Sequence, residues 1–175
     1  FGLIPLYANQ AILDGVFNET ILVYRYGIAG IVYAIYLLLR RMNMRLTRRE
    51  VKEVSLAGVG GYGITAFFLM WSYHYMPTGV ATAIHFFYPV VVALLMAIFY
   101  KERLPLEVKA GIVLAICGVY LLSWTPGEVK WLGLFFVLMS TVTYGCYITA
   151  LNRPVLKRMN PDVLTCYVLL FTALF

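Results

Sequence analysis

The sequence predicts an all-α integral membrane protein, a polytopic helical bundle, on three observations. Hydrophobic residues fill 62% of the 175 positions and charged residues 13%, against roughly half and a quarter in soluble domains. The mean hydropathy is +0.83. The apolar residues fall in runs long enough to cross a bilayer, for which about 20 are needed, and the basic residues collect in alternate gaps between the runs. The net charge of +6 is therefore an orientation signal and not the basic face of a soluble fold, so no nucleic-acid partner is expected.

Residues 1–14 are too few to span and read as the second half of a first helix. A full second span covers 20–40 and ends in Arg40, Arg41, Arg45, Arg48, Arg49 and Lys52. The third, 53–75, carries Gly58, Gly60, Gly61 and Gly63 in its first half. Met76-Pro77-Thr78-Gly79 is a short turn, which makes the third and fourth helices antiparallel neighbours. The fourth span covers 79–100, the fifth 106–124 and the sixth 131–152, and 163–175 opens a seventh. Pro89 falls inside the fourth. It has no N–H and its ring collides with the carbonyl of His85, so it predicts a structural kink. At membrane depth the freed carbonyl must find a partner in protein or in a water-filled cavity.

If the loop after the second helix is cytoplasmic, Lys101, Arg103, Lys109, Arg153, Lys157 and Arg158 join the six basic residues already named on that side. Lys130 alone lies opposite, together with Asp14, Glu19 and Glu128, and Arg25 lies within a span. This asymmetry follows the positive-inside rule and independently supports the helix count.

The chain also repeats. Displaced on itself by 143 positions, it pairs Gly2 with Gly145, Asn9 with Asn152, Leu13 with Leu156 and Tyr24 with Tyr167. The same register sets the turn Asn18-Glu19 against Pro161-Asp162, and Asp14-Gly15 against Lys157-Arg158. A unit of five helices reinserts upside down, so its matching loop should gain basic charge, as this one does. The expectation is a first repeat over 1–125, short of the start of its first helix, and the beginning of an inverted second repeat over 126–175. Five-helix inverted repeats imply ten helices in the full length, with about six and part of a seventh in this chain.

Pro89 in the fourth helix, then Lys101-Glu102-Arg103-Leu104, then Gly111, Ala115 and Gly118 in the fifth resemble the drug/metabolite transporter superfamily, EamA family. Arg25 before Gly27 and Gly30 is similar to that family's second helix. The resemblance covers essentially the whole chain and rests on order and spacing, since each motif is short. It implies ten helices in two inverted halves, a central substrate cavity, and mostly export of amino acids or other small metabolites.

Thr78, Thr82, His85 and Tyr88 share one face of the fourth helix. Polar groups at depth are costly unless they face protein or water. His85 and Tyr88 are therefore candidate cavity residues, and the threonines are ascribed to helix–helix hydrogen bonds. Trp71 and His74 share a face of the third helix with Phe67 and are candidates for solute contact or for an aromatic belt at the interface. Asn9 offers a hydrogen bond to solute or to another helix. Arg25 either snorkels to the surface, pairs with Asp14, or meets an anionic solute group. Tyr144 and Tyr147 share a face of the sixth helix and complete the candidate set. Gly58, Gly61, Thr65 and Ser72 form a small-residue stripe suited to close packing, and Glu102 reads as a loop residue at the inner end.

Cys117, Cys146 and Cys166 lie in apolar runs without metal or disulfide spacing and read as packing residues. No carboxylate sits at a span's middle, no HExxH, GxSxG or P-loop pattern occurs, and the two histidines stand 11 apart on different helices. No enzyme activity, metal or cofactor is expected. The reading is a multi-pass protein of a bacterial or archaeal plasma or inner membrane. Its partners are a small-molecule solute and the lipid bilayer, and a homodimer is compatible with it. The alternatives are multidrug efflux within the same superfamily, and a non-transporting scaffold or receptor that would use the Gly111/Ala115/Gly118 stripe as a partner-helix surface.

Overall fold

The computed structural model describes residues 3–101, 104–123 and 130–174, so Glu102, Arg103 and Glu128 lie outside the described residues. Helix α1 (Leu3–Leu13) leads through Gly15, whose φ of +83° suits a residue without Cβ, into α2 (Asn18–Leu39). Arg41 closes α2 in the left-handed region at φ 52°, letting the Met42 N–H reach the Leu37 carbonyl at 3.1 Å.

The third span starts earlier than its hydropathy indicates. Thr47 and Glu50 form a capping box, each side chain meeting the other's backbone N–H, and this starts α3 (Arg48–Ser55) five residues before the expected 53. The helix then widens into a π segment (Leu56–Gly63) and returns as α4 (Ile64–Ser72). Gly58 and Gly61 explain why the widened backbone fits. A Cβ on Gly58 would lie 3.1 Å from the Val168 carbonyl oxygen, and one on Gly61 would lie 2.8 Å from the Tyr147 Cβ. The small-residue stripe Gly58, Gly61, Thr65 and Ser72 is buried throughout.

The fourth span is two helices. α5 (Thr78–His85) stops at Phe86, and α6 (Tyr88–Phe99) restarts with Pro89 in its first turn, where a missing N–H costs no hydrogen bond. The break thus precedes the proline by two residues instead of falling on it. α7 (Leu106–Ser123), α8 (Trp131–Ala150), the short α9 (Pro154–Lys157) and α10 (Pro161–Ala173) complete the order. Among the described residues four helices are long and apolar enough to cross a membrane: Asn18–Leu39, Arg48–Ser72, Thr78–Phe99 and Trp131–Ala150. α7 adds 18 residues, about 27 Å at 1.5 Å per residue. This is an all-α, multi-pass membrane protein.

α8 is the hub. It packs along α4, α5, α6 and the π segment, while α10 packs along α2 and the π segment. Gly145 seats α8 on Val91 of α6, and Gly133 seats it on Tyr75. Gly30 seats α2 on Leu170, and Tyr33 donates to Asp162 at 2.8 Å. A Cβ added to Gly111 or Gly118 of α7 would meet nothing within 4 Å among the described residues. Lys130 donates its backbone N–H to the Tyr75 carbonyl at 3.2 Å, and most of the other basic residues collect at the opposite end of the bundle. There Arg153 and Glu53 form a half-exposed ion pair at 3.0 Å, above a core of Val54, Ala57, Leu156, Met159 and Val168.

Candidate functional site

α4 presents Tyr62, Thr65, Leu69 and Tyr73 as one stripe, the first of them from the end of the π segment, at helical spacings of 3, 4 and 4. α5 and the start of α6 present Thr82, His85 and Tyr88 opposite, α2 contributes Arg25 and Tyr26, and α8 contributes Tyr144. Together they line a cavity of about 130 Å³.

Hydrogen bonds fix the walls. Thr82 donates to the Thr78 carbonyl at 2.7 Å, which leaves its oxygen to accept from the Tyr73 hydroxyl at 3.4 Å. Thr65 meets the Gly61 carbonyl and the Thr143 hydroxyl, both at 2.8 Å. His85 Nδ1 lies 3.0 Å from the Ser140 hydroxyl, whose proton goes to the Val137 carbonyl at 2.7 Å. With that proton committed, the Nδ1 tautomer of His85 would complete the contact and leave Nε2 as an acceptor. Ring contacts continue the wall: Tyr88 and Tyr144 meet edge to face at 4.6 Å, His85 and Tyr144 lie 5.3 Å apart, and Tyr26 and Tyr62 lie 5.3 Å apart.

Four of the expected residues therefore come together: His85, Tyr88, Tyr144 and Arg25. Tyr147 stands behind them, 5.7 Å from Tyr144 and 5.5 Å from Tyr62, and faces a second, more open cavity of about 200 Å³ with Gly60, Gly61, Cys146, Glu53 and Arg153. Trp71 and His74 line neither cavity. They stack with Phe67, Tyr75 and Phe136 at the C-terminal end of α4, ring centroids 5.6 to 6.5 Å apart. Asn9 falls within α1, but its side chain lies outside the described residues. Among the described residues no group of three or more His, Cys, Asp and Glu comes together to hold a metal ion.

Tyr26, Tyr62 and Tyr73 are wall residues that the sequence reading left out. The 62/65/69/73 spacing was the available signal for two of them. Tyr26 carried none, because the tyrosines at 24, 26, 33 and 36 fall on several sides of α2.

Comparison with known proteins places this architecture. The EamA-like transporter family matches residues 1–124. The chain is similar to an "Uncharacterized transporter" of Archaeoglobus fulgidus, 30% identical over 141 residues, or 81% of this chain and 49% of that protein. It is also similar to a "Probable terminal-alkyne amino-acid exporter" of Streptantibioticus cattleyicolor, 28% identical over 120 residues, or 68% of this chain and 40% of that protein. The chain thus spans about half the length of the curated relatives it matches. No solved structure matches it. A match over 124 of 175 residues, in a bundle of membrane-length helices, means that the chain belongs to the EamA-like transporter family.

Proposed function

We propose that the protein is a secondary transporter that exports amino acids or other small metabolites, by alternating access of two inverted repeats around the cavity. One observation carries the reading: a cavity walled by tyrosines, hydroxyls, His85 and Arg25 stands open among helices of membrane-spanning length. A bundle that served only to pack helices would fill that space with apolar side chains, because a void forfeits dispersion contacts and buried polar groups are costly. The printed name of the Streptantibioticus relative supports amino acids as the solute class.

The crossing of α2 and α10 supports the inverted repeat. Under the 143-residue offset Gly27 corresponds to Leu170 and Gly30 to Ala173. The contacts are Gly27 with Ala173 and Gly30 with Leu170, so exchanging the repeats turns one contact into the other, as a two-fold axis through the crossing would. The partners in this reading are a small organic solute and the bilayer.

The test is a metabolite-export screen of cells overproducing the full-length protein. Extracellular accumulation of one or more amino acids is expected, and Tyr88→Ala should suppress it at equal membrane abundance. An extracellular metabolite profile identical to that of control cells refutes the proposal.

A further inference from the structure

We infer that Arg25 is the anchor for a carboxylate on the transported solute. This rests on the transport reading above and names the group by which the cavity takes its cargo.

Arg25 is the eighth residue of α2, about 10 Å along the helix from its first residue at 1.5 Å per residue. It is only partly exposed and contributes to the cavity wall. Its guanidinium carbon lies over the ring of its neighbour Tyr26, 5.1 Å from the ring centre. Among the described residues the one ion pair is Arg153 with Glu53, at the basic end of the bundle, so no described carboxylate meets Arg25. Asp14 accepts a 3.5 Å hydrogen bond from Gln10 within the loop end of α1 instead.

The rest of the described wall is neutral. Tyr73 and Thr82, which share the cavity, are bound to each other and to the backbone. A permanent cation held among rings and neutral hydroxyls within a span is costly unless an anion completes it. Arginine cannot shed its proton, so the cost persists whenever the cavity is vacant, and an entering anion relieves it. The planar fork of N–H donors selects a carboxylate, which takes two parallel hydrogen bonds, where a lysine would act as a point charge. Tyr88 and Tyr144 line the same cavity, so the remainder of the solute meets their rings.

The full-length protein in liposomes tests this. Vesicles are loaded with common L-amino acids, with the carboxamides of the same amino acids, and with the corresponding decarboxylated amines, and efflux above that of protein-free vesicles is followed by mass spectrometry. The free acids should leave at least about tenfold faster than their amides or amines, because a site built around a hydrogen-bonded group rejects analogues that lack it. Arg25→Gln should erase the difference while the amides still leave. Arg25→Lys should keep the preference for acids at a reduced rate.

If acids and amides leave the wild type equally, or Arg25→Gln retains the preference, the anchor is overturned and the transport reading stands. If no compound leaves faster than from protein-free vesicles, both fall. Should Arg25→Gln fail to fold, Arg25→Lys decides instead: a kept preference at a reduced rate supports the anchor, and an unchanged rate overturns it.

Discussion

Two histidine-centred aromatic clusters flank α8, and they are built from nearly the same parts. His85 stands 5.3 Å from Tyr144 and 6.0 Å from Tyr88, and His74 stands 5.6 Å from Trp71 and 6.5 Å from Tyr75. What separates them is what holds the rings and what lies beside them. His85 is tied through Ser140 to the backbone of α8 and borders a cavity. His74 is exposed, and the Trp71 indole N–H is buried with no hydrogen-bond partner among the described residues. Aromatic content alone therefore does not mark a binding wall. A ring fixed by hydrogen bonds beside open space is prepared to receive a ligand, whereas rings stacked at a helix end are packing.

Glycines set both clusters, and adding a methyl group at each gives the largest expected effect. A Cβ at position 145 would stand 2.6 Å from Val91 Cγ1 and 3.0 Å from Val91 Cβ, and one at 133 would stand 2.8 Å from Tyr75 Cβ. Each substitution, Gly145→Ala or Gly133→Ala, should cost about 1–3 kcal/mol through overpacking, read as thermal unfolding in detergent. They should part on transport. Gly145→Ala pushes α6 from α8 and carries Tyr88 away from Tyr144, so flux should be lost along with stability. Gly133→Ala displaces Tyr75 and leaves the cavity wall in place. Flux that survives Gly145→Ala but not Gly133→Ala would reverse the roles assigned to the two clusters.

The histidines themselves give the next effect. His85→Ala removes the Nε2 acceptor and one wall of the cavity, and should slow transport in proteoliposomes about tenfold, equivalent to ~1.4 kcal/mol. His74→Ala should leave the rate within about twofold, less than ~0.5 kcal/mol on the same scale. Equal losses in the two variants would mean that solute passes both clusters.

The sequence displayed one side of this contrast better than the other. Hydropathy located the spans, because the bilayer demands about 20 apolar residues whatever their identity. Pro89 announced the interruption, and the 82/85/88 spacing put His85 and Tyr88 on one face, since polar residues are rare in a span. The π segment was hidden. Glycines at 58, 60, 61 and 63 promise close approach, but apolar residues on every side leave no periodicity to separate hydrogen bonding to the fourth residue from bonding to the fifth. Tyr26 was hidden among 14 tyrosines, whereas the 62/65/69/73 spacing left Tyr62 and Tyr73 readable. In a soluble helix the buried face is the apolar one, whereas in a span the lipid-facing and protein-facing sides are both apolar. For Trp71 and His74 the sequence offered two readings, belt or cavity, because an aromatic residue near a span's end satisfies both. The capping box at Thr47 and Glu50 is legible as Thr-x-x-Glu, and it starts the third span five residues before hydropathy does.

The smallest effect belongs to Trp71→Phe, and it probes the outer cluster where it is most nearly neutral. The phenyl ring keeps the contacts that Trp71 makes with Phe67, His74 and Phe136, at centroid distances of 5.6 to 6.1 Å. It gives up the outer part of the indole, which costs dispersion and area. It also removes a buried N–H that no described group accepts, and leaving such a donor unpaired costs about 1–3 kcal/mol. The two changes oppose each other, so stability should move by less than about 1 kcal/mol and flux should be unchanged. Loss of flux at unchanged stability would require the indole N–H to be spoken for by the solute. The unpaired donor would then be the mark of a second binding wall, and the contrast between the clusters would collapse.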